Sequence, residues 1–324
     1  MALASISILV LAIVLQLIAA SVNFIGMTIQ KKAATELPLI VKEAGILASL
    51  KNMITNKAWI FGFLLNSSST LFAAGAFALA SITVLQPLYG FGLIVLVIFI
   101  HFYLKEKINR LDIVGVFFGI VGIVVIGITA KPLEQISYLT LITLFTSRNG
   151  IIFFSVFLSI ALLSYLVSEK TKKTISLVFL VISSAIWTAT QNLFTKAVAT
   201  AIRDVGFIEA FFGERWLFTW TFVLLYFFVS VIGIILLNIS YQKGQGVIIL
   251  PIWAAIQVII PVLAGIIIFQ EWAPTSGYSI LDIILQSIGI VIMLVSIITL
   301  SINNGWKEKF AEIIKAEASA ESHD

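Results

Sequence analysis

The chain has 324 residues, 60% of them hydrophobic and 11% charged, with a formal net charge of +4 and no cysteine. A soluble domain carries roughly 45–50% apolar and 25% charged residues, so this composition, with a mean hydropathy of +1.12, excludes a soluble core. The missing thiols exclude disulfides, Fe–S clusters and thiolate metal sites. The basic residues gather in loops and at helix ends, as a membrane protein requires, so no nucleic-acid partner is expected.

The apolar residues come in blocks of about 20, the length a helix needs to cross about 30 Å of hydrocarbon. Barrel strands would be about 10 residues long with strict alternation. The blocks therefore predict an all-α polytopic membrane helix bundle of about nine transmembrane helices. The first residues, MALASISILVLAIVLQLIAA, lack the basic n-region of a signal peptide and run on towards Gln30, so a retained first span is expected over 4–29. Segment 33–56 contains Pro38, Lys42, Glu43 and Lys51, and its apolar pieces are too short to span. It reads as a loop or an interfacial amphipathic helix. The second to fifth spans are predicted over 58–79, 82–104, 111–130 and 150–167, and the sixth to ninth over 175–197, 216–238, 246–270 and 278–301. The charged tail, WKEKFAEIIKAEASAESHD, predicts a short surface helix that then frays.

Lys and Arg set the orientation. The loops after the first, third, fifth and seventh spans, with the C-terminus, hold 15 of the 20 basic residues. That bias places them in the cytoplasm. A cell-membrane protein with its N-terminus outside and its C-terminus inside follows, and it needs an odd number of spans.

The chain also repeats itself. A shift of 165 residues carries Lys31 onto Lys196 and Glu106 onto Glu271, so the Lys-to-Glu separation is 75 in both halves. Between them VLQPLYG (84–90) faces IILPIWA (248–254), with Pro87 and Pro251 one residue out of register. The plan is four helices, one spacer and four helices. Residues 1–130 form the first repeat, with a cytoplasmic loop at 31–57, and 131–174 connect it through the spacer helix. Residues 175–301 form the second repeat and 302–324 the cytoplasmic tail. An offset of five spans inverts one copy against the other, the architecture that lets a transporter open alternately to each side.

The proline-containing third span ending in LKEK, the glycine-rich fourth span and their echo at Pro251 and FQEW resemble the drug/metabolite transporter superfamily. Three stretches are most similar to its NIPA-type magnesium transporters: FIGMTIQKKA (24–33), FALASITVLQPLYGFGLIVLVIFIHFYLKEKI (77–108) and LNISYQKGQGVIILPIWAAIQVIIPVLAGIIIFQEW (237–272). The resemblance runs nearly end to end. It implies nine spans and transport of Mg2+ or another divalent cation. Related EamA-like branches imply the alternative, export of an organic metabolite, amino acid or drug.

An unpaired polar group in hydrocarbon costs several kcal/mol, so polar residues deep in the spans are the candidates for a solute path. Asn23, Gln191 and Asn192, with Gln86, Tyr89, Trp253 and Gln257 beside the two prolines, are the candidate cavity lining. Pro87 and Pro251 are expected to break their helices and free a carbonyl one turn earlier. The bland alternative is interhelical hydrogen bonding, worth about 0.6 kcal/mol each. It fits the run Asn66–Thr70 best. Lys31 and Lys196 are gate candidates, against simple snorkelling to the headgroups. Glu106, Asp112, Glu271 and Asp282 sit at helix ends and read as solvated interfacial charges. His101 reads as packed or interfacial, with proton coupling the alternative. Gly115, Gly119, Gly122 and Gly127 make a close-packing face that suits a homodimer. Trp59, Trp216, Trp220 and Trp272 fit interfacial anchors.

Mg2+ is usually held by one or two carboxylates, and no Asp or Glu lies mid-span, so an amide and carbonyl lining would pass a largely hydrated ion. No metal-ligand set is assigned and no cofactor is expected; the partners are the bilayer and the solute. An intramembrane enzyme needs a nucleophile–base pair or a metal cluster that the spans do not supply. A non-transporting scaffold would lack an enclosed polar cavity.

Overall fold

A computed structural model describes residues 2–35, 53–104, 110–130, 136–243, 246–273 and 277–321. Among these residues the chain is helical, with no strand. Eight helices are long and apolar enough to cross a membrane, and the apolar stretch Ile252–Ile267 supplies the remaining predicted span.

The elements, in chain order, begin with α1 (Ala2–Thr35) and α2 (Lys57–Leu79). The third span is broken: α3 (Ile82–Leu85) passes through a 3-10 turn (Pro87–Gly90) into α4 (Phe91–Leu104). Pro87 has no N–H to give to the carbonyl of Thr83, so the helix tightens into i→i+3 bonds there. Next come α5 (Arg110–Thr129), α6 (Tyr138–Thr146), α7 (Arg148–Lys170) and α8 (Lys173–Val205). The remaining helices are α9 (Phe207–Phe212), α10 (Trp216–Lys243), α11 (Gly246–Ile267) and α12 (Ile280–Glu321).

Several expectations change. Pro251 does not break α11; the one bond its missing N–H removes is to the carbonyl of Val247 in the first turns, and the helix runs on to Ile267. The connecting segment contains α6 as well as the spacer helix. Ser137 caps α6 through the N–H of Thr140, and its Tyr138, Leu141, Ile142 and Phe145 are buried. The tail is continuous with the last span in the 42-residue α12. The reading of segment 33–56 falls largely outside the described residues, as do Glu106 and the His101 side chain.

α1 packs along α2 and against α4; α8 packs along α10 and against α11; α5 packs along α12. The halves meet along this α5–α12 packing, and again where α2 touches α8 and α1 touches α10. α7 leans on α8 at the periphery. The outward surface is apolar, with Leu71, Phe117, Ile128 and Leu224 exposed, which suits lipid rather than water.

Glycine faces set the closest approaches. A Cβ on Gly26 would lie 2.7 Å from the backbone nitrogen of Asn66 and 2.8 Å from the carbonyl of Gly62, so α1 and α2 cross backbone to backbone. The face of Gly115, Gly119 and Gly122 is taken up within the chain. Cβ atoms there would meet Leu300, Ile94 and Met293, and Ser296 donates to the Gly115 carbonyl at 2.7 Å. It is the α5–α12 seam, which takes up these three glycines within the chain, while a Cβ on Gly127 would meet nothing within 4 Å. Trp59 is not a surface anchor either: it is buried, stacks on Phe63 and donates to Asn238 Oδ1 at 3.3 Å. Trp272 is half-buried and donates to Gln286 Oε1 at 3.0 Å. Trp216 and Trp220 are exposed.

Candidate functional site

On α1, Gln16, Asn23 and Gln30 stand seven residues apart. Two helical turns bring a residue back to nearly the same face, so the three amides form one stripe. The Gly26–Gly62 crossing holds α2 against this stripe. Asn23 Nδ2 donates to Asn66 Oδ1 at 3.3 Å and to Ser69 Oγ at 3.2 Å, and Asn66 donates to Gln30 Oε1 at 3.5 Å. The 3-10 turn brings Tyr89 to the same place, where its hydroxyl donates to Asn23 Oδ1.

The second half builds the facing wall. Gln257 on α11 donates to the Ala185 carbonyl at 3.0 Å and to Thr188 Oγ1 at 2.5 Å, and accepts from Asn192 Nδ2 at 3.3 Å. Gln191 donates to the Tyr226 hydroxyl at 3.2 Å. Tyr89 and Trp253 close the space between the halves, with ring centroids 6.3 Å apart.

The two walls line a partly open cavity of about 550 Å3. All seven residues singled out as candidate lining, Asn23, Gln86, Tyr89, Gln191, Asn192, Trp253 and Gln257, lie on it. So do Gln16, Gln30, Asn66, Thr188 and Asn238. The bland assignment of the Asn66–Thr70 run holds only in part: Asn66, Ser67, Ser69 and Thr70 all face the cavity. Gln16 is absent from the sequence-based candidates, although its seven-residue spacing from Asn23 was an available signal. Three buried polar atoms on the lining, Gln16 Oε1, Gln86 Oε1 and Trp253 Nε1, have no hydrogen-bond partner. A buried polar group left unpaired costs about 1–3 kcal/mol, and these three atoms lie beneath the wall surface, each with under 1 Å2 accessible.

Lys196 and Glu271 do not sit at a headgroup surface. Both are buried, at 4% and 2% exposure, and Lys196 Nζ lies 2.5 Å from Glu271 Oε1. The two Glu271 oxygens also accept the N–H groups of Ile82 and Thr83, each at 2.9 Å, where α3 begins. The Phe269 ring lies 4.7 Å from the ammonium. Gln270 holds a φ of 52°, a left-handed turn that costs a side-chained residue about 1–2 kcal/mol. It folds Glu271 back towards Gly265, whose missing Cβ leaves room for the carboxylate and for Thr83. The snorkelling of Lys196 and the solvated role of Glu271 are both overturned. The cause is that carboxylate, ammonium and two helix-start N–H groups satisfy one another away from water. Asp112, also read as solvated, is fully buried. Lys31 lies half-buried near the end of α1, next to the lining residue Gln30.

Among the described residues no cluster of three or more His, Cys, Asp or Glu could hold a metal ion. The polar lining is built instead from amides, hydroxyls and one indole.

The family profile described as Magnesium transporter NIPA matches residues 6–305. The chain is 38% identical over 124 residues to the probable magnesium transporter NIPA9 of Arabidopsis thaliana, covering 38% of this chain and 35% of that protein. It is 28% identical over 214 residues to the Arabidopsis probable magnesium transporter NIPA1, covering 64% and 62%. It is 23% identical over 224 residues to the mouse magnesium transporter NIPA4, covering 68% and 54%. The chain thus spans about a third of the first and about 62% of the second. These relatives are named as transporters, not enzymes, in agreement with the sequence expectation. No solved structure matches the chain. With the match over residues 6–305 and eight membrane-length helices, the chain is a multi-pass membrane protein and belongs to the magnesium transporter NIPA family.

Proposed function

We propose that this chain carries Mg2+ across a bilayer by alternating access through the amide-lined cavity. The observation that carries the reading is the convergence of polar side chains from the first three spans and from the sixth to eighth on one partly open cavity. The names of the relatives supply the ion. The 165-residue repeat supplies a second, inverted opening.

The Lys196–Glu271 pair is the outer barrier. It lies about one helical turn beyond Asn192 on α8 and ties α8, the end of α11 and the start of α3 together. The cavity runs the other way, to Gln30, Asn238 and Tyr241. On the orientation set by Lys and Arg, those residues lie at the cytoplasmic ends of α1 and α10, so the conformation is inward-facing. Outward opening requires α3 to leave the Glu271 carboxylate, and Lys31 stands in the repeat where Lys196 stands outside.

The test is reconstitution. Purified protein in liposomes is expected to show Mg2+ flux above empty vesicles, and not to move a panel of amino acids and organic cations. Mg2+ flux equal to that of empty vesicles would remove the cation reading. Uptake from the organic panel would install the exporter reading in its place.

A further inference from the structure

The cavity wall is chemically uniform. Among the described residues, every polar side chain on it is an amide, a hydroxyl or the Trp253 indole. Mg2+ loses water reluctantly, and the protein groups that replace its waters are usually carboxylates. A neutral amide wall repays little of that dehydration. It is well suited to a different task, accepting hydrogen bonds from polarised waters. Gln16 and Gln86 line the cavity with amide oxygens that lack a partner and lie just beneath the wall surface, so a turn of either side chain presents one to a cavity water. The remaining amides are held in fixed orientations by one another, as in the Asn23–Asn66–Gln30 and Asn192–Gln257–Thr188 sets. Space is adequate: six waters at about 30 Å3 each occupy roughly 180 Å3, against a cavity of about 550 Å3.

We propose that the cavity takes up its cation with the inner hydration shell intact, the amide oxygens of Gln16 and Gln86 accepting from the ion's own waters. This rests on the Mg2+ reading above and specifies the form of the ion. Each water is polarised by the cation, so these are charge-assisted hydrogen bonds without direct metal contact. A neutral wall also lets the ion leave, since no carboxylate has to be parted from it. Trp253 Nε1 is the one unpaired donor of the three lining atoms, and it serves a cavity water outside the shell or the acceptor of an organic solute.

Hexaamminecobalt(III) is the probe. It has nearly the size and hydrogen-bond donors of a hydrated Mg2+ ion, and its ligands do not exchange on the timescale of transport. Full-length protein in liposomes is loaded with a Mg2+ indicator, and influx is followed with and without the complex. The complex is expected to compete with Mg2+. Gln86→Met is expected to weaken that competition roughly tenfold, the loss of one hydrogen bond to a charged group. Gln16→Met, expected to act in the same direction, serves if the first variant does not fold. Mg2+ flux that the complex leaves unchanged would overturn the hydrated-ion inference while the Mg2+ reading stands. Inhibition that neither variant alters would also overturn it, by placing the complex outside the cavity. No Mg2+ flux above empty vesicles would instead remove the reading beneath it.

Discussion

Replacing Lys196 with Met is expected to destabilise the folded protein by about 3–5 kcal/mol, seen as an early thermal-unfolding midpoint in detergent. The reason is local. Glu271 is 2% exposed, and its carboxylate is shared among the Lys196 ammonium and the Ile82 and Thr83 N–H groups. Without the ammonium, the buried negative charge keeps two N–H groups and loses its counter-charge. The double variant Lys196→Met/Glu271→Gln removes both charges and leaves an amide oxygen to accept from α3. It is expected to recover most of the lost stability, because exchanging a buried pair for neutral groups is often close to neutral. Its transport is expected to stay impaired, since α3 is then held to α11 by one neutral bond. A single-variant loss within about 1 kcal/mol of wild type would show a pair that is solvated.

Gly26→Val is the second large effect, at about 3 kcal/mol. At this crossing the atoms nearest a Cβ are backbone, Asn66 N at 2.7 Å and the Gly62 carbonyl at 2.8 Å. Backbone does not swing aside as a side chain does, so α1 and α2 must separate. Separation also stretches the Asn23–Asn66 and Asn66–Gln30 bonds that order one wall of the cavity. The contrast is Gly127, where an added Cβ meets nothing within 4 Å. Gly127→Ala is expected to be neutral or to stabilise by up to about 1 kcal/mol through helix propensity. Equal losses at both positions, measured by thermal unfolding, would show that the crossing does not constrain the fold.

The span pattern is legible in the sequence because hydrocarbon demands apolar residues in blocks of fixed length. Polar lining is legible for the same reason. Asn23, Gln86, Gln191, Asn192 and Gln257 stand out against Leu and Ile, and they meet at one cavity. What fails is partner choice. Lys196 and Glu271 are 75 residues apart, and the repeat draws attention to that spacing without saying that the two side chains touch. The left-handed Gln270, on which the contact depends, has no glycine or asparagine to announce it. The glycine face on α5 advertises close packing but not with what. A helix of the same chain, α12, fills it. α6 is missed because nine residues are too few for a span, and its burial comes from tertiary contacts with α7 and α8. Pro87 and Pro251 look equivalent in sequence. The chain nevertheless tightens into a 3-10 turn at the first and stays α-helical through the second.

The account rests on the claim that the amide-lined cavity is the ion's path, and the absence of native cysteine allows a direct test. Ser67 lines the cavity and is exposed. A Ser67→Cys protein that transports Mg2+ in liposomes would be treated with a bulky, impermeant cationic thiol reagent. The account predicts that labelling abolishes flux and that Mg2+ slows the labelling. Complete labelling with undiminished Mg2+ flux would contradict it.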